Sequence, residues 1–231
     1  MTLKKKWPSR LKKRQKRSSN TAKIVRIDPL TPDPDDIRLA SDILGQKGVL
    51  VFPTTGLYGL GADARSSDAV RRVFAIKRRP PQQPVLVLLS GIDDITTLVR
   101  DVPDYARPLL GLWPGGLTLV FRAADFVPSV LTGGTGRIGV RLPAHPVARA
   151  LAGQFGGPIT GTSANLSGGP SPARVTDLAP EVCRQTDLVL DAGTLAGGPG
   201  STILDATCWP VKILREGAVR RTAIDAALRD G

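Results

Sequence analysis

The sequence predicts a single α/β domain, and three observations carry that expectation. Short apolar runs alternate with amphipathic stretches over residues 27–231. The runs are separated by Gly, Pro and polar turns scattered through the chain rather than gathered into one tract. A hydrophobic content of 41% in 231 residues suffices for one sizeable core, and with aromatics at 4% that core is built from Val, Leu, Ile and Ala.

The elements follow in order. Asp36–Lys47 reads as a helix with Ile37, Ala40 and Leu44 on one face and Gly48 as its stop. Val49–Phe52 is a short apolar strand ending at Pro53. Ser67–Lys77 is a second helix, capped by Ser66 or Ser67 and packing Val70, Val73 and Phe74. Val85–Leu89 reads as a buried strand, followed by helical segments near Asp93–Val99 and Asp104–Leu112. Strands are expected near Leu117–Phe121 and Ile138–Leu142, then a helix over Pro146–Phe155. The last third offers strands at Leu188–Asp191, Thr202–Asp205 and Val211–Arg215 and a closing helix at Thr222–Arg229. No internal repeat is visible.

The formal charge of +12 is concentrated at one end. Residues 1–26 hold eleven Lys/Arg and no acid, leaving 21 basic against 20 acidic residues elsewhere. Lys4–Arg17 is therefore expected to be a disordered basic tail, because charge repulsion there is not offset by burial. Three roles are open to it: a solvated, loosely RNA-attracted tail, a specific tRNA- or ribosome-contacting arm, or an organelle-targeting peptide. Any RNA contact through it would weaken with salt.

Cys183 and Cys208 stand alone, without C-x-x-C spacing or a neighbouring His, which argues against a disulfide framework or a zinc site. No apolar run reaches the ~18–20 residues needed to cross a bilayer, and the N-terminal stretch lacks the apolar run of a secretory signal. A cytoplasmic protein without membrane contact is the expectation.

The usual catalytic constellations are missing. The single histidine, His145, lies in PAHP at a helix start and reads as structural. No G-x-x-x-x-G-K-[ST] phosphate loop occurs, and no Cys/His/Asp cluster has metal-ligand spacing. Instead, polar segments flank the apolar strands: PTTGLYGLGADA (53–64), KRRPPQQPV (77–85), GTSANLSGGPSP (161–172), GGPGSTILD (197–205) and ILREGAV (213–219). Strand ends are where α/β sheets build ligand sites, and Gly- and Ser/Thr-rich backbone with Lys and Arg suits oxyanions. Singly, each segment has a plainer reading. Lys77 would complement its helix dipole, and SANLSGG would be a turn with Ser163 and Asn165 capping backbone.

Their order, however, resembles the YrdC/Sua5 family of L-threonylcarbamoyladenylate synthases over about Asp36–Ala218. The matching pieces are PTTGLYGLGADA, IKRRPPQQPVLVL, LWPGGLTLVF, IGVRLPAHP, TGTSANLSGGPSP, STILD and ILREGAV. The K-x-R and S-x-N signature is present as Lys77/Arg79 and Ser163/Asn165. The resemblance is to the short, single-domain form, with residues 27–231 as the catalytic domain. It implies a twisted mixed β-sheet with flanking helices around a large, open, positively lined cavity.

It also implies a reaction. L-threonine and bicarbonate give a carbamate whose carboxylate attacks the α-phosphorus of ATP, releasing pyrophosphate and supplying threonylcarbamoyl for tRNA adenosine modification beside the anticodon by a separate transferase complex. Magnesium would travel with the nucleotide. By position, Lys77, Arg79, Gln83, Ser163, Ser171 and Arg215 would hold ATP, with Asn165 fixing its loop or a phosphate oxygen, and Lys77, Arg79, Ser163 and Asn165 forming the catalytic signature. Thr54, Tyr58, Arg141 and Ser201 would line the threonine pocket, Arg141 facing the carboxylate.

The sequence departs from the family pattern in places. Thr55 and Gly56 replace an acid and a threonine, so a looser pocket is expected there. Gln83 stands where Asn is frequent, Leu88 where longer members carry His, and Arg78 replaces a usual Gly, adding charge at the cavity mouth. Two other readings belong to different classes: a non-catalytic RNA-binding module, and the carbamoyl-transfer branch of the superfamily, whose domains usually sit in larger chains with zinc-finger-like cysteines absent here.

Overall fold

Strand alternation decides which way the sheets face. In the computed structural model, which describes residues 22–229, the elements are β1 (Lys23–Arg26), α1 (Pro34–Gly45), β2 (Leu50–Pro53), β3 (Tyr58–Gly61), α2 (Ser67–Lys77), β4 (Val87–Leu88), β5 (Leu117–Arg122), α3 (Ser129–Thr132), β6 (Arg137–Arg141) and α4 (Pro146–Phe155). They continue as β7 (Ile159–Thr160), β8 (Thr162–Ser163), α5 (Pro180–Gln185), β9 (Leu188–Asp191), β10 (Thr202–Asp205), β11 (Lys212–Arg215) and α6 (Arg221–Arg229). Ile92–Thr97, Asp104–Leu112 and Val175–Asp177 are 3₁₀ helices, the first two where helical segments are expected.

The strands form two mixed sheets, ordered β1-β9-β2-β3-β8 and β11-β10-β5-β6-β4-β7. In the first, β1, β9 and β2 run parallel while β3 and β8 are antiparallel additions. In the second, β5 pairs parallel with β10 and antiparallel with β6. The chain passes from the second sheet to the first at Gly161, between β7 and β8, and returns through residues 192–201, between β9 and β10.

Helices α1 and α4 cover one face of the first sheet, packing Ile37, Ala40, Leu44 and Leu151 on Leu50, Phe52 and Leu188. The other face is covered by α2 and α5, with Val73 and Val182 against Val51, Leu60 and Val189. In the second sheet, Leu117, Leu119 and Phe121 of β5 and Ile138 and Val140 of β6 point into the core. With a period of two, Thr118, Val120, Arg137, Gly139 and Arg141 must point the other way, and they line a cavity.

Local chemistry sets the boundaries. Asp33 caps α1 by accepting the Asp35 amide at 2.8 Å, with Pro34 at the first helical position, two residues before the sequence-based start. Ser66 caps α2 in the expected way. Lys23–Arg26, grouped by the sequence reading with the tail of residues 1–26, is strand β1 in register with Leu188–Asp191, so the ordered domain begins before residue 27. The expectations for Lys4–Arg17 lie outside the described residues. Among those residues no helix is long and apolar enough to cross a membrane.

Candidate functional site

The cavity, about 620 Å³, opens between the β3–β8 edge of the first sheet and the outward face of the second. Strand ends bring the expected residues to it. Thr54 follows β2, Tyr58 opens β3, Arg141 ends β6, Ser163 ends β8, Ser201 precedes β10 and Arg215 ends β11, and all six line the cavity. Arg79, Gln83 and Ser171 reach it from loops.

Lys77 and Asn165 do not line it; they brace the wall from behind. Lys77 is the last residue of α2 and is only 2% exposed. Its ammonium donates to the Ser163 carbonyl (2.5 Å), the Asn165 carbonyl (2.9 Å) and Asn165 Oδ1 (3.0 Å), using all three donors on one loop. Asn165 Oδ1 also accepts from Ser163 Oγ at 2.6 Å, and its amide donates to the Gly169 carbonyl at 2.5 Å. The S-x-N loop is therefore built around one buried cation. Burial, then the nearby Arg79 guanidinium, pulls the Lys77 ammonium down to about 8.

The arginines are held by backbone. Arg79 donates to the carbonyls of Gln83 (3.1 Å) and Pro84 (2.8 Å), closing the RPPQQP turn over α2. Arg215 donates to the Ser201 carbonyl through Nε (3.2 Å) and Nη2 (2.6 Å). Arg141 is different. Its Nε is buried with no partner, and among the described residues its guanidinium makes no ion pair or hydrogen bond. Burial, then Arg215, lowers it to about 10. Burial and Arg215 also lower Arg79, and burial lowers Arg215.

Among the described residues, none of Lys77, Arg79, Arg141 and Arg215 pairs with a carboxylate, and no Asp, Glu, His or Cys lines the cavity. Burial lowers all four cations, and charge adds to it: Arg79 acts on Lys77, and Arg215 acts on Arg79 and Arg141. A bound polyanion would relieve that repulsion, which is the electrostatic signature of an oxyanion site. Without a candidate general base, the chemistry such a site supports is the positioning and charge stabilisation of reacting groups.

Of the three hydroxyls expected to face an amino acid, two are partly spent. Tyr58 lines the cavity, but its hydroxyl donates to the Gly193 carbonyl at 2.7 Å and accepts the Ala192 amide at 3.0 Å. Burial, with Asp191 nearby, pushes it up to about 12. Thr54 Oγ1 donates to the Leu57 carbonyl at 2.6 Å. Ser201 Oγ, by contrast, accepts from Thr118 Oγ1 at 2.8 Å and from Arg215 at 3.3 Å, so its own proton is free to face the cavity.

Some lining residues escaped the sequence reading, notably Thr118, Thr162 and Arg137. Thr118 and Arg137 were visible in principle as polar residues in phase with the cavity face of strands whose other face is Leu, Ile and Val. Arg137 pairs at 2.8 Å with Asp205, a buried carboxylate also held by the Thr207 amide and hydroxyl. His145 is structural as expected: its Nδ1 accepts the Val147 amide at 3.3 Å and caps α4, and burial lowers its pKa. Arg78 is exposed outside the cavity, at a left-handed φ of 50° that ends α2. Leu88 packs in the core beneath α4. No group of three or more His, Cys, Asp or Glu among the described residues is placed to hold a metal.

Comparison with known proteins gives the same pattern of similarity. The Sua5/yciO/yrdC family model, described as Telomere recombination, matches residues 42–217. The threonylcarbamoyl-AMP synthase of Pyrococcus abyssi (strain GE5 / Orsay) is 35% identical over 193 residues, covering 83% of this chain and 57% of the relative. That of Xanthomonas axonopodis pv. citri (strain 306) is 38% identical over 178 residues, covering 75% and 95%. The crystal structure of P. abyssi Sua5 complexed with L-threonine superposes with a TM-score of 0.82 at 33% identity, covering 88% of this chain and 60% of that one. The chain thus spans less than two thirds of the P. abyssi protein but nearly the whole of the shorter one. With the matched segment running from α1 to the end of β11 and enclosing the whole cavity, the chain belongs to the Sua5/YciO/YrdC family.

Proposed function

We propose that this protein is a nucleotidyltransferase that makes L-threonylcarbamoyl-adenylate from ATP, L-threonine and bicarbonate, releasing pyrophosphate. The observation that carries the reading is the cavity's charge: Arg79, Arg141 and Arg215 line it with Lys77 behind, and none of the four has a carboxylate partner among the described residues. A carbamate, a carboxylate and a triphosphate repel one another in water, and such a cavity brings them together. The relatives named threonylcarbamoyl-AMP synthase and the threonine-bound P. abyssi structure support the choice of substrate.

In this reading Arg79, Gln83, Ser171 and Arg215 hold the nucleotide, and Ser163 presents its loop, set by Lys77 and Asn165, to the phosphates. Arg141 takes the amino-acid carboxylate at the Thr118–Ser201 end, where its guanidinium has no other partner among the described residues. Mg²⁺ enters as the counter-ion of the triphosphate, because the described residues offer it no carboxylate cage. The chain's own contribution is placement: carbamate oxygen, α-phosphorus and departing pyrophosphate in line, with guanidinium groups beside the charge that shifts to the leaving group. The adenylate would pass to a separate transferase that modifies tRNA, and residues 1–22 would add a weak, salt-sensitive RNA contact in the cytoplasm.

The product identifies the reaction. Purified protein incubated with ATP, threonine and bicarbonate should give a nucleotide with the mass of threonylcarbamoyl-AMP. Its absence from a folded preparation would refute the proposal, and loss of RNA binding on deleting residues 1–22 without loss of that product would separate the tail from the chemistry.

A further inference from the structure

The walls of the cavity meet at two glycines. Gly56, in the turn between β2 and β3, accepts a hydrogen bond from the Gly197 amide at 2.9 Å, and a Cβ on Gly56 would overlap the Gly197 carbonyl oxygen. Gly56 does not have a positive φ, so it is space, not backbone conformation, that excludes a side chain here. Gly197 and Gly198 have φ of 72° and 91°, the left-handed backbone that turns this carbonyl toward Gly56. The space beside Gly56 is thus filled by the 192–201 segment.

Each side of the contact carries cavity residues. On one side, Thr54 is fixed by its bonds to the Leu57 carbonyl, and Tyr58 by its amide bond to Pro172 and its hydroxyl bond to Gly193. On the other, Gly200 accepts the Ala218 amide at 3.0 Å and Ser201 is gripped by Arg215. Gly56 and Gly197 do not line the cavity themselves, yet their contact, with the Tyr58–Gly193 bond, ties the Thr54–Tyr58 turn to the segment that ends at Ser201.

We propose that Gly56 is a specificity-determining position for the amino acid, acting through the Gly197 carbonyl as a positioning residue that sets the width of the amino-acid end of the cavity. This rests on the adenylation reading above. A side chain at Gly56 forces the 192–201 segment outward and draws Ser201 from the opposite wall, while Arg79, Gln83 and Ser171 on the nucleotide side stay in place.

Steady-state kinetics of Gly56→Ala with threonine and with serine test this. Threonine KM should rise roughly tenfold with a smaller rise in ATP KM through Arg215, which is bonded to Ser201, and the kcat/KM preference for threonine over serine should fall about tenfold, the lower end of what one methyl contact provides. Gly48→Ala, whose Cβ would overlap Ile43 away from the cavity, is the control for general strain and should leave that preference at the wild-type value. If Gly56→Ala does not fold, deletion of exposed Gly198 displaces the same carbonyl and should lower the preference likewise. A folded variant with wild-type threonine KM and preference, or an equal change in Gly48→Ala, would overturn the inference alone. A wild-type protein without threonine-dependent turnover would overturn the adenylation reading and this inference with it.

Discussion

The Lys77 ammonium lies 3.0 Å from Asn165 Oδ1, joining the end of α2 to a loop 88 residues further along the chain. With its two backbone bonds to the same loop, this makes Lys77 the frame on which Ser163 is hung. The residue shapes the site from behind its surface.

Lys77→Ala should therefore lower both activity and stability. It takes the ammonium from the Ser163 and Asn165 carbonyls, each costing about 1–3 kcal/mol if left unpaired and buried, while Asn165 Oδ1 keeps the Ser163 hydroxyl. Pyrophosphate release should fall more than about tenfold, and Tm by at least about 5 °C for a chain of this size. A variant that keeps its Tm and loses only activity would mean that Lys77 acts on the substrate directly.

Arg141→Met should separate the two properties. Arg141 is half-buried and its Nε is buried without a partner, which weakens the folded state, and replacing it by an apolar chain of similar reach removes that cost. Tm should hold or rise while threonine KM increases by about tenfold or more, as a charge-assisted contact of ~1.5–3 kcal/mol would dictate. A clear fall in Tm would show that the guanidinium has a structural partner.

Arg78→Gly should stabilise the protein. Arg78 takes the left-handed conformation that ends α2, which costs an L-residue about 1–2 kcal/mol relative to glycine. Thermal unfolding should shift upward by roughly 2–4 °C, with activity unchanged because the side chain is outside the cavity. An unchanged or lower Tm would place the Arg78 side chain in a favourable contact.

Nucleotide affinity should fall as pH rises through about 8. Lys77 is pulled down to that value in the free protein, and an anion bound in front of its loop favours the protonated form, so binding takes up a proton above that pH. Calorimetry in buffers of different ionisation enthalpy measures the uptake. Affinity constant to pH 9.5, with no proton taken up, would contradict the coupling.

Much of this architecture was legible in the sequence where period and punctuation agree. Helix Ser67–Lys77 begins at a serine cap, Pro146–Phe155 starts on proline, and the β9 and β10 boundaries match their apolar runs. β3 was hidden because YGLG reads as a glycine-rich ligand loop. In the fold, a Cβ on Gly61 would fall 3.0 Å from the Ile159 side chain and closer still to the Phe52 ring, so the glycine marks close packing inside a strand. The two-residue strands β7 and β8 carry too little pattern to be read. The candidate residues that line the cavity were reached through strand ends and motif order. That Lys77 and Asn165 stand behind the wall, and that Gly197 fills the space beside Gly56, are long-range packing facts with no local signal.

The most direct test of the central claim is pyrophosphate release from ATP with bicarbonate and threonine, each omitted in turn. The account predicts release only when both are present, in step with the appearance of threonylcarbamoyl-AMP. Release that ignores threonine or bicarbonate, or none at all from folded protein, would contradict it.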